Sequence, residues 1–393
     1  MKGRLRWSRR DFVRMAGSSL GAMSFVPPLL ARVSRASEKI APRFAYVGFG
    51  GEGAKDEGIA VFDLSGADLR GGLWRQTGVV ASAAPSSLAL DATERFLYAV
   101  NEVDEYEGLP TGTVEAYAID SADGSLKLIN RQKLSLSATA PRHATVSPDG
   151  RALVVAVHGG GAYNVLPLAK DGSVGAVSGI LKETGSGPHH EQRSAHPQMV
   201  VFDRAGRVVS ADLGSDRLSV LRLDAARLSR AGRYAAQAGD GPRQLALHPD
   251  GELLFVANEL DASVACYGYD VEEGRIVGRL GQTATACGGN TGGVVMALDP
   301  GGEFLYTAHR RASDGVSMWR IARRTGGLQR LQVVDEGGPW LHEMTITADG
   351  KSLLGLSRED GGVFGWRLAD GQISKGEQLA RLAAPMSLAA KSL

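Results

Sequence analysis

Arg142, Arg243, Arg310 and Arg358, together with His196, His342 and Glu259, are the residues of this chain best suited to chemistry. A guanidinium binds both oxygens of a carboxylate or phosphate side by side. Several of them around one opening, with imidazoles and a carboxylate, predict an electropositive pocket for a small anionic ligand. Any one of these arginines could equally be solvated or paired with a nearby acid, as Arg217 can be in Asp212-Leu213-Gly214-Ser215-Asp216-Arg217. The chemical reading therefore depends on the side chains meeting at one place.

Elements that would bring them together are legible as a repeat. A Pro or Gly mark, a strand-like apolar stretch, an Asp/Gly turn and a second apolar stretch recur from Pro85, Pro141, Pro197, Pro242, Gly293 and Leu341. A seventh copy, Pro385-Met386-Ser387-Leu388-Ala389, repeats Pro85-Ser86-Ser87-Leu88-Ala89 and stops after one strand. Its missing partner stands at the other end, where Arg43-Phe44-Ala45-Tyr46-Val47-Gly48 matches the second-strand text Arg95-Phe96-Leu97-Tyr98-Ala99-Val100. Strand-type self-similarity at about 45 to 56 residues predicts an all-β, seven-bladed β-propeller over residues 44–393. Pairing of its N- and C-terminal segments would close the ring and leave no open sheet edge.

In such a ring the start of each first strand and the end of each second strand lie on one face, around the channel mouth. The residue after each mark is Ser86, Arg142, Gln198, Arg243, Val294, His342 or Met386. The second strands end at Glu102, Gly159, Leu213, Glu259, Arg310 and Arg358, with His158 and His309 one residue earlier. The two columns place the arginines, His342 and Glu259 on one rim, and Gln198 beside them.

Other motifs carry less. His189-His190-Glu191 with His196 offers metal-ligand types, but adjacent residues of an extended chain point opposite ways, so a polar surface loop is expected and no metal site. His158-Gly159-Gly160-Gly161 precedes no helix that could supply amide donors to a phosphate, and is expected to be a flexible connection. Gly17-Ser18-Ser19-Leu20-Gly21 matches the nucleophile-elbow pattern without its strand-turn-helix setting.

With 43% hydrophobic and 22% charged residues and a formal net charge of +1, the chain reads as a soluble globular protein, and a nucleic-acid partner is not indicated. Its 52 glycines suit the turns of a many-stranded fold. Ser8-Arg9-Arg10-Asp11-Phe12 is a twin-arginine pattern, followed by a weakly apolar stretch and small residues near Ala36. Residues 1–36 are therefore expected to be an export signal read by the twin-arginine machinery, 37–43 a short linker, and the mature protein periplasmic with no membrane association. Cys266 and Cys287 are expected to be free or structural thiols.

The phrases Ala140-Pro141-Arg142-His143, Ser194-Ala195-His196-Pro197, Asp212-Leu213-Gly214-Ser215-Asp216-Arg217, Gly241-Pro242-Arg243-Gln244 and Ala257-Asn258-Glu259-Leu260-Asp261 resemble the lactonase family of seven-bladed propellers. That family includes bacterial 6-phosphogluconolactonase of the propeller type and the fungal carboxymuconate cyclase. The resemblance implies active-site groups at His196, Arg243, Glu259 and Arg310, with no cofactor; Arg142, Gln198, His342 and Arg358 are expected substrate contacts. Three positions depart from the family pattern: Gln198 and Gln244 stand where histidines are expected, and His309-Arg310-Arg311 replaces Asn-Arg-Gly.

The leading expectation is hydrolysis of a small sugar-derived or anionic lactone. Flanking arginines make Glu259 a weaker base, which favours His196 for proton transfer with Glu259 orienting. Lactone formation by a muconate-type cyclase is a second reading of the same residues. Non-catalytic binding of a periplasmic ligand or protein is a third, favoured by the loss of titratable groups at Gln198 and Gln244.

Overall fold

A computed structural model describes residues 43–51, 56–65, 73–285, 292–310, 315–335, 338–369 and 371–391. Among them there are seven antiparallel sheets and no helix. The proposed export signal, all of the linker but Arg43, and Cys287 lie outside the described residues.

Why the second strands read as nearly unbroken apolar runs is plain from their packing. Ala152–Val157 is buried along its whole length, and Leu253–Asn258 likewise. Alternate side chains of one such strand serve two neighbours: Leu153, Val155 and Val157 pack with Tyr98, Val100 and Val114 of the preceding blade, while Val154 and Ala156 pack with Val200 and Val208 of the next. Each fully buried Val or Leu contributes about 1.5–3 kcal/mol. Fourth strands such as Arg227–Ala235 alternate exposed and half-buried residues, as an outer edge must.

The two ends of the described chain are sewn together. Pro385–Lys391 is the innermost strand of a sheet whose other members are Phe44–Phe49, Gly58–Asp63 and Arg75–Val80, with Tyr46 opposite Ala389 and Val47 opposite Leu388. Ser387 Oγ donates to the Pro85 carbonyl at 2.6 Å, which links this closing blade to the one after it. A Cβ at Gly48 would lie 2.3 Å from that same carbonyl oxygen, so only glycine fits there.

First strands carry a regular irregularity. Pro141 pairs with Val157 and His143 with Ala156, which leaves Arg142 as an extra, unpaired residue. The same register shift falls at Ser86, Gln198, Arg243 and Met386. A bulge re-aims its extra side chain, and a leading Pro withholds an amide that the ladder would otherwise need. The residue after the Pro mark is thus the one turned toward the channel mouth.

Candidate active site

The channel mouth opens into a basin of about 1180 Å³, and a narrower chamber of about 320 Å³ lies within the channel. Arg142, Gln198, Arg243, Arg310 and Arg358 line both cavities and so form the partition between them. His196 and Glu259 line the basin, and His342 lines the chamber. All eight residues singled out from the sequence therefore converge on one channel.

Glu259 is clamped. Arg243 Nε meets one carboxylate oxygen at 2.7 Å and Arg310 Nη1 the other at 2.9 Å, with each side chain only a fifth to a quarter exposed. Arg142 pairs with Glu102 at 2.6 Å. Among the described residues Arg358 has no acid partner. Arg243 Nη1 and Arg142 Nε are buried without a hydrogen-bond acceptor, as donors kept ready for a ligand would be.

His196 is held by its neighbours on three sides. Its backbone amide donates to Asp212 Oδ1 at 2.7 Å, its Nδ1 lies 3.0 Å from the His158 carbonyl, and its ring stacks on that of His158 with centroids 4.4 Å apart. An Nδ1–H donated to a carbonyl leaves Nε2 as the lone-pair nitrogen, 3.3 Å from Ser194 Oγ. Gln198 Nε2 is 2.7 Å from His158 Nδ1. Burial, then the charges of Arg142, His196 and Arg243, hold the His158 pKa down at about 3.

The Asp212 to Asp216 phrase explains how two blades present their side chains in register. Asp212 accepts from His196 N, Gly214 N and Ser215 Oγ. Asp216 accepts from Gly239 N at 2.7 Å and Gly241 N at 2.8 Å, which fixes the entry to Pro242 and Arg243. One turn thus positions the imidazole of its own blade and the guanidinium of the next.

Inside the chamber, side chains staple several first strands to their neighbours: Ser87 Oγ accepts from Ala144 N at 3.2 Å, and Gln244 Oε1 from Met296 N at 2.9 Å. Gln244 is therefore structural. Glu343 follows the same pattern toward the Leu388 amide, and burial pushes its pKa up to about 8. His143 and His342 are held at about 4 and about 3, chiefly by burial.

Several features differ from expectation. The basin is not uniformly electropositive: Glu57, Asp104, Glu105 and Glu191 bring negative charge to its wall beside the single cation Arg193, while four arginines stand on the floor. The glycine run after His158 is a tight turn rather than a loose connection, since a Cβ at Gly159 or Gly160 would come within 2.3 Å of Thr139 Oγ1 or the Ser137 carbonyl. His309 is buried against Thr285 and does not line the basin. His190 and Glu191 are exposed on the basin wall, where their ligand atoms and one of His189 lie within 4.8 Å of one another. Sequence reasoning passed over Glu102 and His158, although both stood in the second-strand column, and had no signal for Glu343.

The family model for lactonases, seven-bladed β-propellers, matches residues 44–388. The chain belongs to this lactonase family. A 6-phosphogluconolactonase of Bacillus subtilis is 26% identical over 325 residues, covering 80% of this chain and 89% of that protein. A periplasmic gluconolactonase of Pseudomonas aeruginosa superposes with TM-score 0.79 at 25% identity, covering 89% of this chain and 99% of the other. A Bacteroides fragilis structure described as a putative 6-phosphogluconolactonase gives 0.78 at 25% identity, covering 91% and 99%. The lactonase-type propeller accounts for nearly the whole described chain.

Proposed function

We propose that the basin hydrolyses a small sugar-derived lactone, in keeping with its lactonase relatives. The observation that carries this reading is the Arg243–Glu259–Arg310 clamp on the floor of the basin that His196 also lines. Ring opening begins when a water oxygen bonds to the lactone carbonyl carbon and the carbonyl π electrons move onto oxygen. His196 Nε2 accepts the water proton. Arg243 and Arg310 stabilise the oxyanion, which preplaced positive donors favour over the ground state. The tetrahedral species then collapses, the bond from carbon to ring oxygen breaks, and the proton on His196 passes to that oxygen. Glu259, with a guanidinium on each oxygen, holds the arginines rather than acting as base.

Charge favours an aldonolactone without a phosphate. Glu102 and Glu259 already offset part of the arginine charge, and the acidic wall opposes a phosphate dianion. Arg358 can take one anionic or hydroxyl group. The proposed export signal agrees with a periplasmic site of action, as for the Pseudomonas relative.

The test is a pH-stat assay of the purified mature protein on glucono-δ-lactone, other aldonolactones and the 6-phosphorylated lactone, above the spontaneous rate. Saturable turnover is expected, with the unphosphorylated substrates preferred. Arg243→Ala is expected to lower kcat about 100-fold or more with its thermal midpoint nearly unchanged. Thermal stabilisation by aldonic acids without turnover would make the protein a binder, and an unaffected Arg243→Ala would remove that residue from the mechanism.

A further inference from the structure

Resting on that reading, we infer that His158 is a further catalytic residue, a neutral imidazole whose Nε2–H hydrogen-bonds the lactone carbonyl oxygen as it becomes an oxyanion, with Gln198 as the positioning residue that fixes its tautomer. Three observations support it. His158 lines the basin and stacks on His196, so the two rings border the same space, within which a carbonyl in reach of His196 must sit. Its Nδ1 lies 2.7 Å from the Gln198 amide nitrogen, which has only protons to offer. A ring nitrogen that accepts at Nδ1 must carry its proton at Nε2. Among the described residues the Nε2 atom has no protein hydrogen-bond partner, and it is not sealed from solvent.

The surroundings keep this ring uncharged. Burial, Arg142, the neighbouring imidazole and Arg243 all oppose a second proton, and the ring remains neutral down to about pH 3. A neutral N–H donor does not transfer its proton, so it stabilises the oxyanion without altering the proton balance between water, His196 and the ring oxygen.

The bulge at Gln198 is what allows the contact. Without the register shift between Pro197 and Met199, residue 198 would take its turn in the ladder instead of reaching toward the preceding blade. His158 is carried by the tight glycine turn of that preceding blade, and the same residue's carbonyl receives Nδ1 of His196. One residue thus fixes the tautomer of the base through its backbone and offers a donor through its ring.

The experiment combines kinetics with nitrogen NMR on the full mature protein. In the wild type, ¹⁵N shifts should give the Nε2–H tautomer for His158, unprotonated at pH 6. His158→Phe keeps a ring on His196 but no donor, and is expected to lower kcat about 100-fold with little change in KM. His158→Gln places an amide N–H near the Nε2 position and should recover at least about tenfold over the Phe variant. Gln198→Glu turns the partner into an acceptor, draws the proton to Nδ1, and should lower kcat while moving the ¹⁵N pattern to the other tautomer; it guards against misfolding of the Phe variant. An Nδ1–H or charged His158 in the wild type, or full kcat in His158→Phe, would overturn the assignment. If the wild type turns over no lactone, the functional reading fails and this one with it; an active wild type with full kcat in His158→Phe sinks this inference alone.

Discussion

The groups that matter most at this site are those whose protonation the fold decides. Glu343 lines the inner chamber of the channel, and burial lifts its pKa to about 8 from an ordinary 4.5 against the opposing pull of the Leu388 amide and Arg243. Between these values the folded chain keeps a proton that the unfolded chain has released. Its contribution to stability is therefore full below about pH 4.5 and is lost as pH rises toward 8. Glu343→Gln, which preserves an acceptor for the Leu388 amide, is expected to match the wild type near pH 4.5 and to melt at least about 2 °C higher at pH 8.5. Thermal melts across that range decide it; a gap that does not grow with pH would rule out the buried proton. His143 and His342 have the opposite sign: held at about 4 and about 3, they stabilise the fold above pH 6.5 and cease to do so as pH falls toward those values. Both columns of candidate residues were readable because their places in the repeat are fixed. Which of them pair, and that Gln198 partners His158 rather than leaving a gap, depends on contacts between residues forty positions apart.

At the level of elements, the turn from Asp212 to Asp216 couples two blades. Asp216 adopts φ of +48°, a conformation that Asp tolerates better than most residues, and its carboxylate holds the amides of Gly239 and Gly241. Asp216→Ala is expected to lower stability by about 1–2 kcal/mol through two unsatisfied amides. Because those amides fix the entry to Arg243, kcat/KM should also fall about tenfold or more on a lactone. Asp216→Asn keeps one acceptor oxygen and should lie between the two. Urea titration and initial-rate kinetics check this together; an Asp216→Ala enzyme with normal kcat/KM would separate the turn from the site. The bulges are the other element-scale device. The Pro marks show where each first strand starts, but the extra residue in the register appears only once the partner strand is laid beside it.

For the whole molecule, closure by Pro385–Lys391 is what makes a ring of seven sheets. A chain ending at Ala384 would leave Phe44–Phe49 as a buried strand with an open edge and would remove the Ser387 link to Pro85. Such a variant is expected to aggregate, or to melt at least about 10 °C lower, in size-exclusion and thermal assays; a soluble variant with an unchanged melt would show the ring to be held otherwise. The blade number, the closing strand and the rim residues followed from sequence alone, because a repeat of Pro marks, apolar runs and Asp/Gly turns fixes the order of strands and the face on which each strand ends. Tertiary structure alone decided the charge and protonation of the site. The acids of the basin wall, the Glu259 clamp, the staples of the chamber and the tautomer of His158 all arise where side chains from different blades meet, and the strength of an ion pair or a hydrogen bond depends on distance and burial, which the order of residues does not contain.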